Sequence, residues 1–157
     1  MFALLAIFMS CGSSSMSFEN IQQMVYSNNF NFVAKDFTNR TTYSAPAGTG
    51  RIASTTIQDG TSDKIGVQVN HDQLRINLPI NDKESKLDKT SLVAISQDFT
   101  AARKTLENGN ILVNYFLNDQ KDINLVKMEI DKSGKIDCSI EGPNQKPLLF
   151  VGTIERN

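Results

Sequence analysis

The chain has 157 residues, which suits one domain with a single hydrophobic core. Its 16 basic and 17 acidic residues nearly cancel, and Lys and Arg are spread along the chain, so we expect no nucleic-acid partner, which requires concentrated positive charge. No apolar run approaches the ~20 residues that span a bilayer as a helix.

Residues 1–10, MFALLAIFMS, form an uncharged segment that stops at Cys11 and continues into glycine and serines. Its apolar part has the length of a signal-peptide core. A buried strand or helix fits less well, because the segment shows neither period 2 nor period 3.6. An ordinary signal peptide would end in a small-x-small cleavage site, and Phe8-Met9-Ser10 is not one.

Ser10-Cys11-Gly12 is similar to the junction of a bacterial lipoprotein signal, whose cysteine takes a diacylglycerol before cleavage leaves it at the new amino terminus. The sequence therefore predicts a signal peptide over 1–10, a lipidated Cys11 with a flexible tether over 11–17, and one β-rich domain over 18–157. Acyl chains contribute about 0.8 kcal/mol per buried CH₂, which predicts stable anchoring without a transmembrane helix. We expect the protein at the outer membrane, facing the periplasm.

One convincing helix follows the tether, in SFENIQQMVY from Ser17 to Tyr26. Phe18, Ile21, Met24 and Val25 recur at three- and four-residue spacing and form one apolar stripe. Ser17 suits the N-cap, and Asn28-Asn29 stop the helix. The stripe favours packing on the domain's own sheet over docking on a partner.

From Asn29 onward the period switches to two, which is typical of strands with one buried face. Ile65 to Val69 and Leu74 to Leu78 alternate around Asn70-His71-Asp72, which predicts a hairpin that Pro79 ends. Further strands are predicted over 29–37, 91–97, 98–105, 111–117, 123–131, 136–140 and 148–154. Residues 41–64, rich in Thr, Ser, Gly and Pro, are predicted to form a loop with one short strand around 51–57. We therefore expect a mostly β domain of about eight short strands: one N-terminal helix packed on an antiparallel sheet, either barrel-like or a sandwich.

The order of these segments, SNNFNFVAK, APAGTGRI, IGVQVNHDQLRINLP and INLVKMEIDKSGKIDCSIEGPNQKPLLFVGTI, resembles a family of small lipoproteins from Bacteroidota-type Gram-negative bacteria. That family is a domain of unknown function whose members show a lipoprotein signal, a helix, an F.F.A strand and a D.L...LP segment. The resemblance covers residues 18–155 and departs from the pattern at Ile80-Asn81-Asp82, where an aromatic residue and a glycine are expected. It implies a β-rich extracytoplasmic domain and carries over no catalytic residue.

Residues of catalytic type are few. His71, the single histidine, lies in the predicted hairpin turn, which favours a solvated surface residue over a general base. Cys138 alternates with Ile136 and Ile140, which favours core packing over a nucleophile. We therefore predict no catalytic set.

Metal and phosphate sites are also not expected. Asp82, Glu84 and Asp88 are conceivable calcium ligands, but the EF-hand spacing and its turn glycine are missing and lysines are interleaved. The run from Asp82 to Lys89 sums to zero charge, which is typical of a solvated loop. The glycine-containing stretch 47–50 lacks both the Lys and the strand-to-helix setting of a phosphate loop. We expect no metal and no cofactor.

The sequence as a whole predicts a non-enzymatic envelope lipoprotein whose β domain binds a protein or ligand at an unidentified site. One alternative is a carrier that encloses a small apolar ligand between strands. The other is an enzyme that uses converging carboxylates. A solidly packed interior argues against the carrier. Its expected members are Phe30, Phe32, Val67, Leu74, Ile76 and Phe150.

Overall fold

The computed structural model describes residues 16–38, 54–56, 65–79, 91–143 and 145–157. One helix, α1 (Phe18–Tyr26), precedes ten strands within these residues. The strands are β1 (Phe30–Thr38), β2 (Ser54–Thr56), β3 (Gly66–Val69), β4 (Leu74–Pro79), β5 (Ser91–Ser96), β6 (Phe99–Thr105), β7 (Ile111–Leu117), β8 (Leu125–Ile130), β9 (Lys135–Gly142) and β10 (Gln145–Glu155). Nowhere in the described ranges does a helix reach the length and apolarity that crossing a membrane requires.

Nine of the strands form one continuous sheet in the order β5-β4-β3-β1-β10-β9-β8-β7-β6, and β2 pairs with the end of β1. Every neighbouring pair is antiparallel. Because eight such pairings separate the two ends of this order, β5 and β6 run in the same direction. Only Gln97 and Asp98 lie between them in the chain. The two strands are therefore halves of one bent strand, and the sheet is rolled nearly into a barrel.

About eight strands were expected and ten are observed in the described residues. The difference is the division of the bent strand into β5 and β6, together with the short β2. The first half of the bent strand pairs with β4 and its second half with β7, so around the rolled sheet the two halves count as one strand. The very short β2 is an addition at the end of β1. The expectation of a mostly β fold, with one helix on a barrel-like antiparallel sheet, is confirmed.

A carboxylate holds the corner between the two halves. Asp119, just after β7, accepts hydrogen bonds from the Ser96 hydroxyl (2.6 Å), the Gln97 N–H (2.8 Å) and the Asp98 N–H (3.3 Å). These donors, with the Ser96 hydroxyl foremost, lower the pKa of Asp119 from 3.8 to about 2. The adjacent Gln120 donates from Nε2 to the Ile95 carbonyl oxygen (2.8 Å).

The hydrophobic core lies between the inner face of the sheet and α1. Because side chains alternate between the two faces of a strand, every second residue of most strands points inward. Each of the six expected core residues is buried there: Phe30, Phe32, Val67, Leu74, Ile76 and Phe150. The helix adds Ile21, Met24 and Val25 to the same cluster, and Phe18 packs against it half-buried. Packing of the helix on the domain's own sheet is thereby confirmed.

The two ends of α1 are capped as its sequence predicts. The Ser17 side chain accepts from the Asn20 N–H (3.4 Å) at the N-terminus. At the C-terminus Asn28 adopts a positive φ of 51°, and the N–H groups of Asn28 and Asn29 donate to carbonyl oxygens of the last turn. This is a Schellman motif, for which an asparagine in the left-handed conformation suffices.

Arg103 ties the C-terminal end of α1 to β6. Its Nε donates to the Val25 carbonyl oxygen (3.1 Å), and its guanidinium also donates to Asn28 Oδ1. The hydroxyl of buried Tyr115 donates to the same Asn28 oxygen (3.3 Å). A cation at a helix C-terminus interacts favourably with the helix dipole, so these contacts fix the orientation of α1 on the sheet.

Candidate functional site

Two groups of residues singled out in the sequence lie outside the described residues. They are Cys11, the predicted lipidation site, and the acidic residues Asp82, Glu84 and Asp88. Across the ranges that the structure describes, no three His, Cys, Asp or Glu side chains are placed to hold a metal ion together.

His71 lies at the tip of the β3–β4 hairpin and is exposed, as predicted. Its Nδ1 is 3.3 Å from the Ser27 carbonyl oxygen at the end of α1. The sequence did not indicate this contact, because it joins residues 44 positions apart. His71 therefore lies on the surface, where the hairpin meets the helix.

Cys138 is buried on β9, on the inner face that it shares with Ile136 and Ile140. Burial raises the pKa of its thiol, since the low-dielectric core disfavours a thiolate. The thiol thus stays protonated and packs as a small hydrophobic group. The prediction of a core cysteine is confirmed.

A groove of about 520 Å³ crosses the outer face of β1, β3, β4 and β5. We call it the outer groove. Two adjacent cross-strand rows supply its side chains, as the register of these strands shows. The first row runs from Ile95 through Arg75 and Gln68 to Asn31, and the second runs from Val93 through Asn77 to Gly66.

Gly66 leaves the floor of the outer groove without a side chain. A Cβ atom at this position would lie 1.7 Å from the Phe32 carbonyl oxygen, so no larger residue fits without moving the backbone. Asn31 lies in the adjoining row and is only 5% exposed; its Nδ2 donates to the Arg156 carbonyl oxygen (3.4 Å). Gly66 thus permits the close approach of β1 and β3 and adds no side chain to the groove.

Arg75 is the only charged residue among the described residues that line the outer groove. Its side chain is exposed and makes no hydrogen bond or ion pair with any described residue. Gln68 lies next to it on β3, and Asn77 is two residues further along β4. Both carboxamides can donate and accept hydrogen bonds.

The β5 side of the outer groove is apolar. Val93 is 66% exposed and Ile95 is 43% exposed, although both are large aliphatic residues. The groove therefore offers one cation, neutral hydrogen-bonding groups and an aliphatic wall within one surface. Such a combination of apolar surface and a few polar groups is typical of binding sites.

Sequence reasoning did not find this site. Gln68, Arg75 and Asn77 occupy the polar positions of an alternating hairpin, where a solvated face is the ordinary expectation. The segment SLVAIS, from Ser91 to Ser96, could have indicated the apolar side of the groove, because its apolar residues occupy both alternate sets of positions. That pattern indicates a strand with apolar side chains on both faces.

These features define a class: a mostly β protein with one helix on a rolled antiparallel sheet and, on the outer face of that sheet, a groove lined by polar and aliphatic side chains. The sequence profile of a family described as a domain of unknown function, DUF4251, matches residues 13–154. The chain therefore belongs to the DUF4251 family. No curated protein matches the chain.

Proposed function

We propose that this protein is a non-enzymatic envelope lipoprotein, anchored through Cys11, whose β domain binds a partner in the outer groove. The observation that carries the proposal is Arg75, an exposed guanidinium without a partner among the described residues, beside the exposed Val93 and Ile95. An arginine next to exposed aliphatic side chains in a concave surface is the composition of a recognition site.

The anchor is supported by how the sequence is organised around Cys11. The family match begins at residue 13 and α1 begins at Phe18, so the apolar segment 1–10 lies before the matched domain. A short polar stretch rich in serine, over 12–17, separates Cys11 from the helix and suits a flexible tether. The resemblance to small lipoproteins of Bacteroidota-type bacteria supports the same anchor and an outer-membrane location facing the periplasm.

Metabolic labelling tests the anchor. We expect a labelled fatty acid to enter the full-length protein and not its Cys11→Ser variant. Cys138→Ser is the matched control, because it removes the other cysteine and should keep the label. Equal labelling of wild type and Cys11→Ser would exclude lipidation at Cys11.

Site-specific photocross-linking in native cells tests the binding role. A photoreactive residue at Val93 should give a discrete adduct, whereas the same residue at Lys127, exposed on the outer face of β8, should not. Addition of Arg75→Gln to the Val93 reporter should weaken the adduct, because it removes the cation of the groove. Adducts of equal yield from both positions, or none from Val93, would contradict the proposal.

The packing of the interior favours surface binding over the alternative of an enclosed apolar ligand. Side chains of α1 enter the same cluster as the inner faces of the strands, where Ile21 and Val25 are fully buried. The outer groove, by contrast, opens between exposed residues. The further alternative, a carboxylate-based enzyme, would need acidic side chains that converge in a cleft, and the described lining of the outer groove contains none.

A further inference from the structure

The first row of the outer groove carries one charge among its described residues. Arg75 supplies it, between Ile95 on one side and the neutral Gln68 and Asn31 on the other. An anionic group that enters the groove is therefore attracted to Arg75.

The chemistry around Arg75 suits a carboxylate better than a phosphate or a sugar. A guanidinium binds a carboxylate through two parallel hydrogen bonds, whereas phosphate sites usually combine several cations or backbone N–H groups. Phe32, the one aromatic residue among the described lining residues, is only 1% exposed and offers no stacking surface. Gln68 and Asn77 match the donor and acceptor pair of a peptide amide, and the aliphatic wall matches aliphatic side chains.

The outer groove is open at β5, which favours an extended chain over a compact solute. The Ile95 carbonyl group points away from β4, since it accepts from Gln120 Nε2. Alternate residues of a strand direct their backbone groups to the same side, so those of Val93 and Ser91 also face away from β4. No described strand pairs with this edge. A bound chain can leave the groove across it.

Given the proposed function of the outer groove as a binding site, on which this step rests, we infer that its ligand is an extended acidic peptide. An Asp or Glu side chain of the peptide pairs with Arg75. Neighbouring peptide amides bond to the carboxamides of Gln68 and Asn77, and aliphatic side chains of the peptide pack on Val93 and Ile95.

Selection from a random heptapeptide library displayed on phage tests this inference on the full-length protein. Wild type should select peptides in which Asp or Glu is enriched at one position at least about threefold over the input library. Arg75→Gln should lose that enrichment. Lys127→Gln is the matched control, because it removes one positive charge from the outer face of β8. This variant should keep the enrichment of Asp or Glu.

A synthetic copy of the best binder then serves as a direct probe. Replacement of its acidic residue by the corresponding amide should weaken binding to wild type about tenfold and leave binding to Arg75→Gln unchanged. The thermal unfolding of each protein variant should match wild type, since both substituted side chains are exposed.

Two results would overturn the inference. Peptides that bind wild type but not Val93→Lys occupy the groove. In the first result, these peptides show no enrichment of Asp or Glu. In the second, the enrichment survives in Arg75→Gln. Either result leaves the groove a binding site, with a ligand of different chemistry. If wild type selects no peptide, the peptide inference fails, and cross-linking from Val93 decides separately whether the groove binds another partner.

Discussion

Ile21→Ala probes how α1 is attached to the sheet. Ile21 is fully buried at the centre of the helix stripe. Its Cδ1 reaches the turn between β8 and β9, where a Cβ built on Gly134 would lie only 3.4 Å from it. The side chain therefore fills the space between the helix and this turn, and truncation to alanine leaves a cavity that the surrounding strands cannot easily close.

The expected cost follows from this burial. Ile→Ala removes three carbon groups, and the transfer of each from core to water is worth about 0.8 kcal/mol, about 2.5 kcal/mol in all. The cavity adds to this cost, which brings Ile→Ala substitutions in protein cores to about 2–5 kcal/mol. The better helix propensity of alanine returns a few tenths, ~0.4 kcal/mol. We expect Ile21→Ala to lower the free energy of unfolding by about 2–4 kcal/mol.

Urea unfolding followed by far-ultraviolet circular dichroism measures the change, provided that the m-value stays constant. Gln23→Ala is the matched control, because Gln23 is an exposed residue of the same helix and its loss should cost less than about 0.5 kcal/mol. A cost below about 1 kcal/mol for Ile21→Ala, at unchanged m-value, would show that the stripe is not packed on the sheet in solution.

Two further predictions concern single side chains. In the Cys11→Ser protein, Cys138 should react with a thiol reagent only after denaturation, because the thiol is buried and its pKa is raised. As a control, a cysteine introduced at the exposed position Lys121 should react at once. Fast reaction of Cys138 in the native protein would contradict its burial. Asp119 has its pKa lowered to about 2 from 3.8, so its stabilising contribution is complete above about pH 4 and is lost as the pH falls towards 2. The difference in unfolding temperature between wild type and Asp119→Asn should therefore shrink between pH 4 and pH 2. A constant difference across that range would show that the hydrogen bonds of the ionised Asp119 carboxylate do not stabilise the corner.

Elements with a clear period could be predicted because local chemistry alone specifies them. The hairpin β3–β4 has apolar residues at alternate positions on both sides of a polar turn, and the observed register pairs Val69 with Leu74 across it. The stripe of α1 and the core position of Cys138 follow from the same reasoning. In each case the side chains that must be buried recur with the period of the element that buries them.

Features that depend on distant pairings could not be predicted in this way. The sequence indicated strands on both sides of Gln97-Asp98 but not that they belong to one bent strand, because that depends on pairing with β4 and β7. The hydrogen bond of Ser96 to Asp119 and the contact of Arg103 with the end of α1 join residues far apart in the chain. A single polar residue is not part of a periodic pattern, so the sequence does not indicate its distant hydrogen-bond partner.

The outer groove was missed for a related reason, since its residues come from four strands. Gly66 is an unremarkable glycine in the sequence, and its role appears only when β1 approaches from the side of Phe32. Arg75 and Asn77 look like any solvated residues until Val93 and Ile95 are placed beside them by the pairing of β4 with β5. A surface site of this kind is defined by register, which the sequence of one strand does not contain.

The bent strand links the fold to the candidate site. Among the described strands, each half of the bent strand has a single paired side, because β5 pairs with β4 and β6 pairs with β7. The β6 half is fastened to α1 through Arg103. Among the described residues, the outer side of the β5 half is held near its end, where Gln120 donates to the Ile95 carbonyl oxygen, and no described strand pairs with the backbone of Val93. An uncharged, exposed strand edge of this kind favours pairing with another chain. The bend that rolls the sheet nearly into a barrel thus also leaves the β5 edge, next to Val93 and Ile95 of the outer groove, without a described partner strand. The proposed partner can approach Arg75 across this edge.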